Sequence, residues 1–184
     1  VGKGEIRSAE KIIGYPMVLK VPDGAFSQGV FKVENAVQMR EVTRRLFKES
    51  ELILAQEFLY TEFDWRVGIL NRKPLYVSQY FMSKKHWQIV HYDDKGGFTE
   101  GGFRTMAVEA APAEVVEVAL RAANLIGDGL YGVDLKQNAD GVYVIEINDN
   151  PNIDSGVEDV ALKEELYRLI MAEFVRRLEL RRQR

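Results

Sequence analysis

Two strand-like runs, Leu130 to Gln137 and Val142 to Asn148, flank the four residues Asn138-Ala139-Asp140-Gly141, and no other feature limits the fold as much. Asn, Asp and Gly clustered between two such runs mark a tight turn, so the segment predicts a hairpin and an antiparallel sheet. The hairpin carries Asp134 on its first strand and Glu146 and Asn148 on its second. Side chains alternate between the faces of a strand, so the length of the turn decides whether these three meet. A loop of two or four residues pairs Gln137 with Val142, sets Asp134 opposite Ile145 and sends Asp134 and Glu146 to opposite faces. A three-residue loop, with a type I turn from Asn138 and Gly141 left-handed in a bulge, pairs Asn138 with Val142 and therefore Asp134 with Glu146. The glycine stands where that turn needs it, so the second register is the one expected.

In that register Asp134, Glu146 and Asn148 present three hard oxygen ligands on one face, the chemistry Mg²⁺ takes when it is shared with phosphates. Two carboxylates side by side repel, and a cation offsets the repulsion. The plain alternative is a polar, solvent-facing side of a hairpin.

A second unit lies upstream. Met17 to Val21 reads as a short buried strand and Val30 to Val33 as its partner, across the loop Asp23-Gly24-Ala25-Phe26-Ser27-Gln28-Gly29. Lys20 ends the first run just before the loop, where it can reach phosphate oxygens or simply face solvent. Backbone N–H groups of Ser27, Gln28 and Gly29 can close over phosphates, although such loops also merely connect strands. Met39, Val42 and Leu46 follow helical spacing between Ala36 and Glu49, and Leu52 to Phe58 reads as a further strand. In the extended segment Gln56-Glu57-Phe58-Leu59, backbone groups can hydrogen-bond an adenine edge while apolar side chains cover the ring.

Strands are expected near Trp65 to Leu70 and Leu75 to Phe81, joined by a turn at Asn71-Arg72-Lys73-Pro74, with further strands at Trp87 to Tyr92 and Gly102 to Ala107. Asp64 and Arg66 share one strand face, either as a nucleotide-binding acid with a basic partner or as a same-face ion pair. Lys84, Lys85, His86 and Trp87 form a basic, aromatic group that suits a substrate carboxylate as well as it suits a protected strand edge. A helix is expected from Pro112 to Gly127, with Val115, Ala119, Ala122 and Ile126 on its apolar face. A last helix spans Leu162 to Leu180, with Leu162, Leu166, Leu169, Ile170, Phe174 and Leu178 on one face.

Composition removes several function classes. With 25 Lys and Arg against 28 Asp and Glu, and a net charge of -3, no global positive field argues for nucleic acid. The late arginines Arg176, Arg177, Arg181, Arg182 and Arg184 fit a solvated helix end. Cysteine is absent, which excludes disulfides and thiolate chemistry and fits a cytoplasmic protein. His86 and His91 do not make a zinc site. No Walker A, G-x-G-x-x-G or G-x-S-x-G pattern occurs, and no apolar run approaches the ~20 residues of a membrane span. The chain does not begin with Met, as expected of a fragment of a longer protein.

Taken in order, Y-P-M-V-L-K-V-P-D-G-A-F-S-Q-G, Q-E-F-L, D-W-R, G-V-D-L and V-I-E-I-N-D-N-P resemble the RimK-like branch of the ATP-grasp ligases over nearly everything from Gly14 to Asp159. The resemblance implies an α+β fold of two lobes with mainly antiparallel sheets enclosing ATP, a central lobe at 1–57 and a C-terminal lobe at 58–184, with the family's N-terminal lobe absent. It implies that Lys20 binds ATP phosphates, that the loop through Ser27, Gln28 and Gly29 covers them, that Gln56, Glu57, Phe58 and Leu59 hold adenine, and that Asp64 lies near the nucleotide sugar. Asp134, Glu146 and Asn148 match the Mg²⁺ ligands, with Glu146 bridging two ions; Mn²⁺ is an alternative.

The implied reaction moves the γ-phosphoryl group of ATP to a carboxylate substrate, and an amine, an amino acid in this branch, attacks the acylphosphate. Lys84, Lys85 or Arg104 would steady that intermediate. Phe26 departs from the glycine usual in RimK itself, and a further ATP-contacting lysine upstream of Lys20 is missing. D-alanine ligases, another branch, carry an arginine two residues before the first metal acid, where this chain has Gly132, so an amino-acid ligase is expected rather than a cell-wall ligase. A non-catalytic nucleotide-binding module and an ATP-grasp phosphotransferase stay open beside it. No nucleic-acid or membrane partner is expected, and a homo-oligomer is compatible with the sequence.

Overall fold

A computed structural model describes residues 3–22, 29–84, 86–92 and 97–183. The chain divides into two compact units, Val1–Tyr60 with Val90–Phe98, and Thr61–Ile89 with Thr99–Arg184.

In the first unit, α1 (Lys3–Ile12) precedes β1 (Met17–Lys20), β2 (Val30–Val33), α2 (Ala36–Leu46) and β3 (Leu54–Glu57). The strands form an antiparallel sheet in the order β2-β1-β3. Met17 and Leu19 are fully buried and pack with Val33, Met39 and Leu46, while Ile6, Ala9 and Ile13 bring α1 onto the same core. This first helix, unremarked in the sequence reading, buries residues three and four apart, the spacing of one helical face. The start of α2 is fixed by Asn35, whose side chain accepts from the N–H groups of Val37 and Gln38 at 3.0 and 3.1 Å. The segment 90–98 carries the short strand β6 (Val90–Tyr92) and the first residue of β7 (Phe98–Glu100).

The second unit is built on five antiparallel strands in the order β10-β9-β4-β5-β8. These are β4 (Phe63–Leu70), β5 (Lys73–Phe81), β8 (Phe103–Met106), β9 (Leu130–Asn138) and β10 (Gly141–Asn148). One face is covered by α3 (Ala113–Ile126): Trp65, Val67, Ile69, Val77, Val133 and Leu135 pack against Val115, Val116, Ala119 and Ala123. Ile126, expected on that apolar face, is exposed, because α3 ends there with the N–H of Gly127 bonded to Ala123 at 3.1 Å.

On the opposite face the sheet changes character along its strands. Leu70 and Tyr76 pack with Leu166 and Ile170 of α4 (Glu164–Arg182), whereas Asp64, Arg66, Asp134 and Lys136 occupy the other end. The apolar face expected along the whole of α4 is buried only in its first half, and Phe174 and Leu178 stay 44% and 56% exposed.

A turn and a strand differ from expectation. β4 and β5 are joined by Asn71 and Arg72 alone, both at positive φ (48° and 63°), with Leu70 paired to Lys73, the two-residue hairpin whose twist matches its strands. The strand expected from Trp87 is confined to Val90–Tyr92. Upstream of it the chain folds back, the N–H of Ser83 bonding Gln88 and that of His86 bonding Ser83, both at 2.9 Å.

Gly68 is paired with Tyr76, and a Cβ at Gly68 would lie 2.2 Å from the buried ring. Gly68→Ala is therefore expected to destabilise the second unit by about 1–3 kcal/mol, read as a lower urea midpoint. An unchanged midpoint would show that the ring can move aside.

Candidate nucleotide and metal site

The hairpin of β9 and β10 brings Asp134 opposite Glu146 and Gly132 opposite Asn148, so Asp134, Glu146 and Asn148 share one face. The route to that register is not the expected one. Gly141 pairs with Asn138 and Val142 with Gln137, so the loop has two residues and no bulge at the turn. Asn138 stabilises it by accepting from the N–H groups of Asp140 and Gly141 at 2.8 and 3.1 Å. Gly141 has the expected positive φ, at 150°. The parity is restored further along, where the register shifts between Val144 and Glu146. Ile145 is the extra residue of a bulge.

The cause lies in the apolar residues of β10. Val142 and Ile147 both pack against the α3 core, yet they stand an odd number of positions apart. A regular strand cannot bury both, and one inserted residue lets it do so while turning Glu146 to the face of Asp134.

That face is a lattice of opposite charges. Arg66, paired with Asp134 across β4 and β9, donates from Nε to Oδ1 at 2.7 Å and from Nη2 to Oδ2 at 2.8 Å, and from Nη1 to Asn152 Oδ1 at 3.0 Å. Lys136 donates to Asp64 Oδ1 at 2.5 Å and to Thr61 Oγ1 at 2.8 Å. Asp64 and Arg66 thus share a face as expected, but each pairs with its neighbour on β9 rather than with the other. Burial pushes the Asp134 carboxyl above its ordinary value; the guanidinium pulls the other way, and the charges of Glu146 and Asp64 add to the push. Burial opposes the Arg66 cation, but its bonds to Asp134 hold its pKa above the ordinary value.

These residues fit a hard divalent cation. The donors are two carboxylates and an amide, with Asn148 Nδ2 donating to Glu146 Oε1 at 3.3 Å, which leaves the amide oxygen of Asn148 as a donor to a metal. Arg66 takes one lone pair from each Asp134 oxygen, and a carboxylate has about four such positions. Among the described residues no group of three or more His, Cys, Asp or Glu is arranged to hold a metal, so the third ligand would have to be Asn148.

In the first unit, Lys20 pairs with Val30 and Leu54, and Val18 with Lys32 and Gln56. Lys20, Lys32 and Gln56 therefore lie on the sheet face away from the core. Phe58, whose N–H bonds Pro16 O at 3.4 Å, has the Lys32 ammonium 4.5 Å from its ring centroid. Glu57 is paired with Met17 and so belongs to the other face, where it is exposed. Leu59 is half-buried. Gly29 has φ 72°, a backbone that favours glycine at the end of the loop. Ser27, Gln28 and the divergent Phe26 lie outside the described residues, as does Lys85.

One expected cation of the second unit, Arg104, does not share a face with Asp134. Arg104 is paired with Gln79, and Gln79 with Trp65, which sets Arg104 on the α3 face, opposite to Asp134. Lys84 is exposed in the turn after β5. The neighbouring rings of His86 and Trp87 are stacked at 5.8 Å, with His86 Nδ1 accepting from the N–H of Gln88 at 3.1 Å.

The sequence reading missed Lys136, Asn152, Tyr80 and Glu158. Lys136 was legible, since it stands two residues after Asp134 on the same strand face.

The Arg66 pair yields a stability test. Arg66→Leu leaves the Asp134 carboxylate largely buried without its partner and is expected to cost about 3 kcal/mol, whereas Arg66→Leu with Asp134→Leu recovers most of that loss. Chemical denaturation of both variants checks it, and equal losses would show that the pair is uncoupled.

A family model described as D-ala D-ala ligase C-terminus matches residues 3–158. A probable alpha-L-glutamate ligase of Xanthomonas campestris pv. campestris is 31% identical over 145 residues, covering 79% of this chain and 47% of that protein. A D-alanine–D-alanine ligase of Pediococcus pentosaceus is 26% identical over 140 residues, covering 76% and 40%. Among solved structures, D-alanine–D-alanine ligase from Bacillus anthracis superposes with a TM-score of 0.64 at 17% identity, over 97% of this chain and 60% of that one. The ATP-grasp ligase PsnB, complexed with minimal precursor, Mg and ADP, gives 0.59 at 21% identity, over 92% and 50%. These structures share the fold. The chain spans about half the length of the curated relatives it matches.

Proposed function

Since the chain belongs to the D-ala D-ala ligase C-terminal family of ATP-grasp ligases, we propose that it is the nucleotide- and metal-binding part of an ATP-dependent carboxylate–amine ligase. The single observation that carries the reading is the pairing of Asp134 with Glu146, with Asn148 beside them. A bulge that turns two acids toward each other is an unfavourable arrangement for a plain hairpin face and a useful one for a cation.

Magnesium, as one or two ions with Mn²⁺ as an alternative, would neutralise the charge on the transferred phosphoryl group. Asp134, Glu146 and Asn148 would hold it, and Arg66 would keep the Asp134 carboxylate oriented. Lys20 and the loop through Ser27, Gln28 and Gly29 would hold the ATP phosphates, and Gln56, Glu57, Phe58 and Leu59 the adenine. Asp64 would lie near the sugar, using whatever capacity its bonds to Thr61 and Lys136 leave. Phosphoryl transfer to a carboxylate gives an acylphosphate, and attack by an amine expels phosphate and forms an amide. Such catalysis is positioning and charge neutralisation, and needs no protein nucleophile. Lys84 or Lys85 would steady the acylphosphate; Arg104, on the α3 face, is the weakest of the three candidates. The likeness to alpha-L-glutamate ligases favours an amino acid as the amine substrate, in a protein of the cytoplasm. Among the described residues no helix is long and apolar enough to cross a membrane.

Two variants test the assignments. Lys20→Ala is expected to weaken ATP binding about tenfold or more, the loss of one charged hydrogen bond to phosphate, while Lys84→Ala leaves it nearly unchanged; calorimetric titration separates them, and equal affinity in Lys20→Ala and wild type rejects the phosphate role. Glu146→Gln is expected to abolish the Mg²⁺ dependence of nucleotide binding, and ATP turnover in the full-length protein, without loss of fold, because glutamine keeps the shape and removes the charge. Were the two acids only a solvated hairpin face, the same change would be silent in binding and worth tenths of a kcal/mol in stability.

A further inference from the structure

The segment after β10 holds a carboxylate that the reaction does not use. Glu158 is fully buried, and its hydrogen bonds come from a phenol and the backbone: Tyr80 donates from its hydroxyl to Oε1, and the N–H of Asp154 donates to Oε2 at 2.7 Å. Burying a carboxylate is costly unless it is well bonded, and an apolar residue could fill the same space at less cost. What those two bonds hold in place explains why an acid stands there.

Both lead to Arg66. The Tyr80 ring lies 5.4 Å from the centre of the Arg66 guanidinium, and fixing the phenol fixes the ring beneath the cation. The Asp154 bond fixes the start of a second route, in which Asn152 Nδ2 donates to Asp154 Oδ2 at 2.7 Å and Asn152 Oδ1 accepts from Arg66 Nη1 at 3.0 Å. Each of the three guanidinium nitrogens is thereby used: Nε and Nη2 on Asp134, Nη1 on Asn152. A planar fork bound on one edge by a carboxylate could still tilt about that edge. The ring below and the amide at the far nitrogen remove the tilt, and Glu158 holds both.

We propose that Glu158 is a positioning residue: through Tyr80 and the Asp154–Asn152 segment it fixes the Arg66 guanidinium, and Arg66 in turn fixes the Asp134 carboxylate for its cation. The second half rests on the reading of Asp134 as a metal ligand, and the first half does not.

The test follows the Arg66 Nε–H group by ¹⁵N NMR, its signal identified by its loss in Arg66→Lys. In wild type this proton is bonded to Asp134 and should exchange slowly with water. In Glu158→Leu the side chain accepts from neither the Tyr80 hydroxyl nor the Asp154 N–H, and in Tyr80→Phe the ring stays but loses its anchor. Both are expected to speed the exchange about tenfold, the effect of a hydrogen bond weakened by its usual worth, while the backbone spectrum stays that of the folded chain. Unchanged exchange in folded Glu158→Leu overturns the proposal; if that variant does not fold, unchanged exchange in Tyr80→Phe does so.

The second readout is the Mg²⁺ concentration that half-saturates ADP binding, expected to rise severalfold in the same variants with ADP affinity in the absence of Mg²⁺ unaltered. Faster exchange with an unshifted Mg²⁺ midpoint overturns the link to Asp134. A wild type whose ADP binding ignores Mg²⁺ rejects the metal reading itself, and the exchange rates still judge the brace around Arg66.

Discussion

The bidentate pair between Arg66 and Asp134 is the interaction on which the polar face of the larger sheet depends. It joins two neighbouring strands across their register and decides what a group of acids can do there. Without the guanidinium, Asp134 would meet the like charges of Glu146 and Asp64 with burial already raising the cost of its ionised form. With it, the carboxylate is bonded through both oxygens and held in one orientation, and a divalent cation would offset the repulsion among the acids of this face. One pair along, Lys136 bonds a single oxygen of Asp64.

Around that pair the sheet divides its work by face. The α3 side carries the apolar core that fixes the strands. The other side is apolar only beneath the first half of α4, where Gly68 leaves room for the Tyr76 ring, and becomes charged toward Asp64 and Lys136. Gly132 serves the boundary between the two, since a Cβ there would lie 2.8 Å from Pro151 and 3.7 Å from the Arg66 side chain. Gly132 is thus what lets the segment after β10 lie close over Arg66.

Much of this was legible in the sequence, and the failures have physical causes. The convergence of Asp134, Glu146 and Asn148 follows from the hairpin, but the wrong device was credited with it. The turn chemistry of Asn138 and Gly141 suits a two-residue loop as well as a three-residue one, and only the requirement to bury both Val142 and Ile147 reveals the bulge at Ile145. The face on which Arg104 lies was not legible, since it depends on pairing with Gln79, a register set by residues far away in sequence. The buried acid Glu158 was invisible for a similar reason. Nothing local distinguishes Glu158 from its neighbour Asp159, and its burial arises from Tyr80, 78 positions earlier.

The claim that Asp134 and Glu146 form a metal site is tested most directly by locating the ion. Crystals of the chain grown with Mn²⁺ and a non-hydrolysable ATP analogue should show an anomalous density peak between the two carboxylates, with metal–oxygen distances of about 2.1 Å to each and the Arg66 bond to Asp134 retained. Bound nucleotide with no anomalous peak at that position, or a peak coordinated by neither acid, would contradict the account.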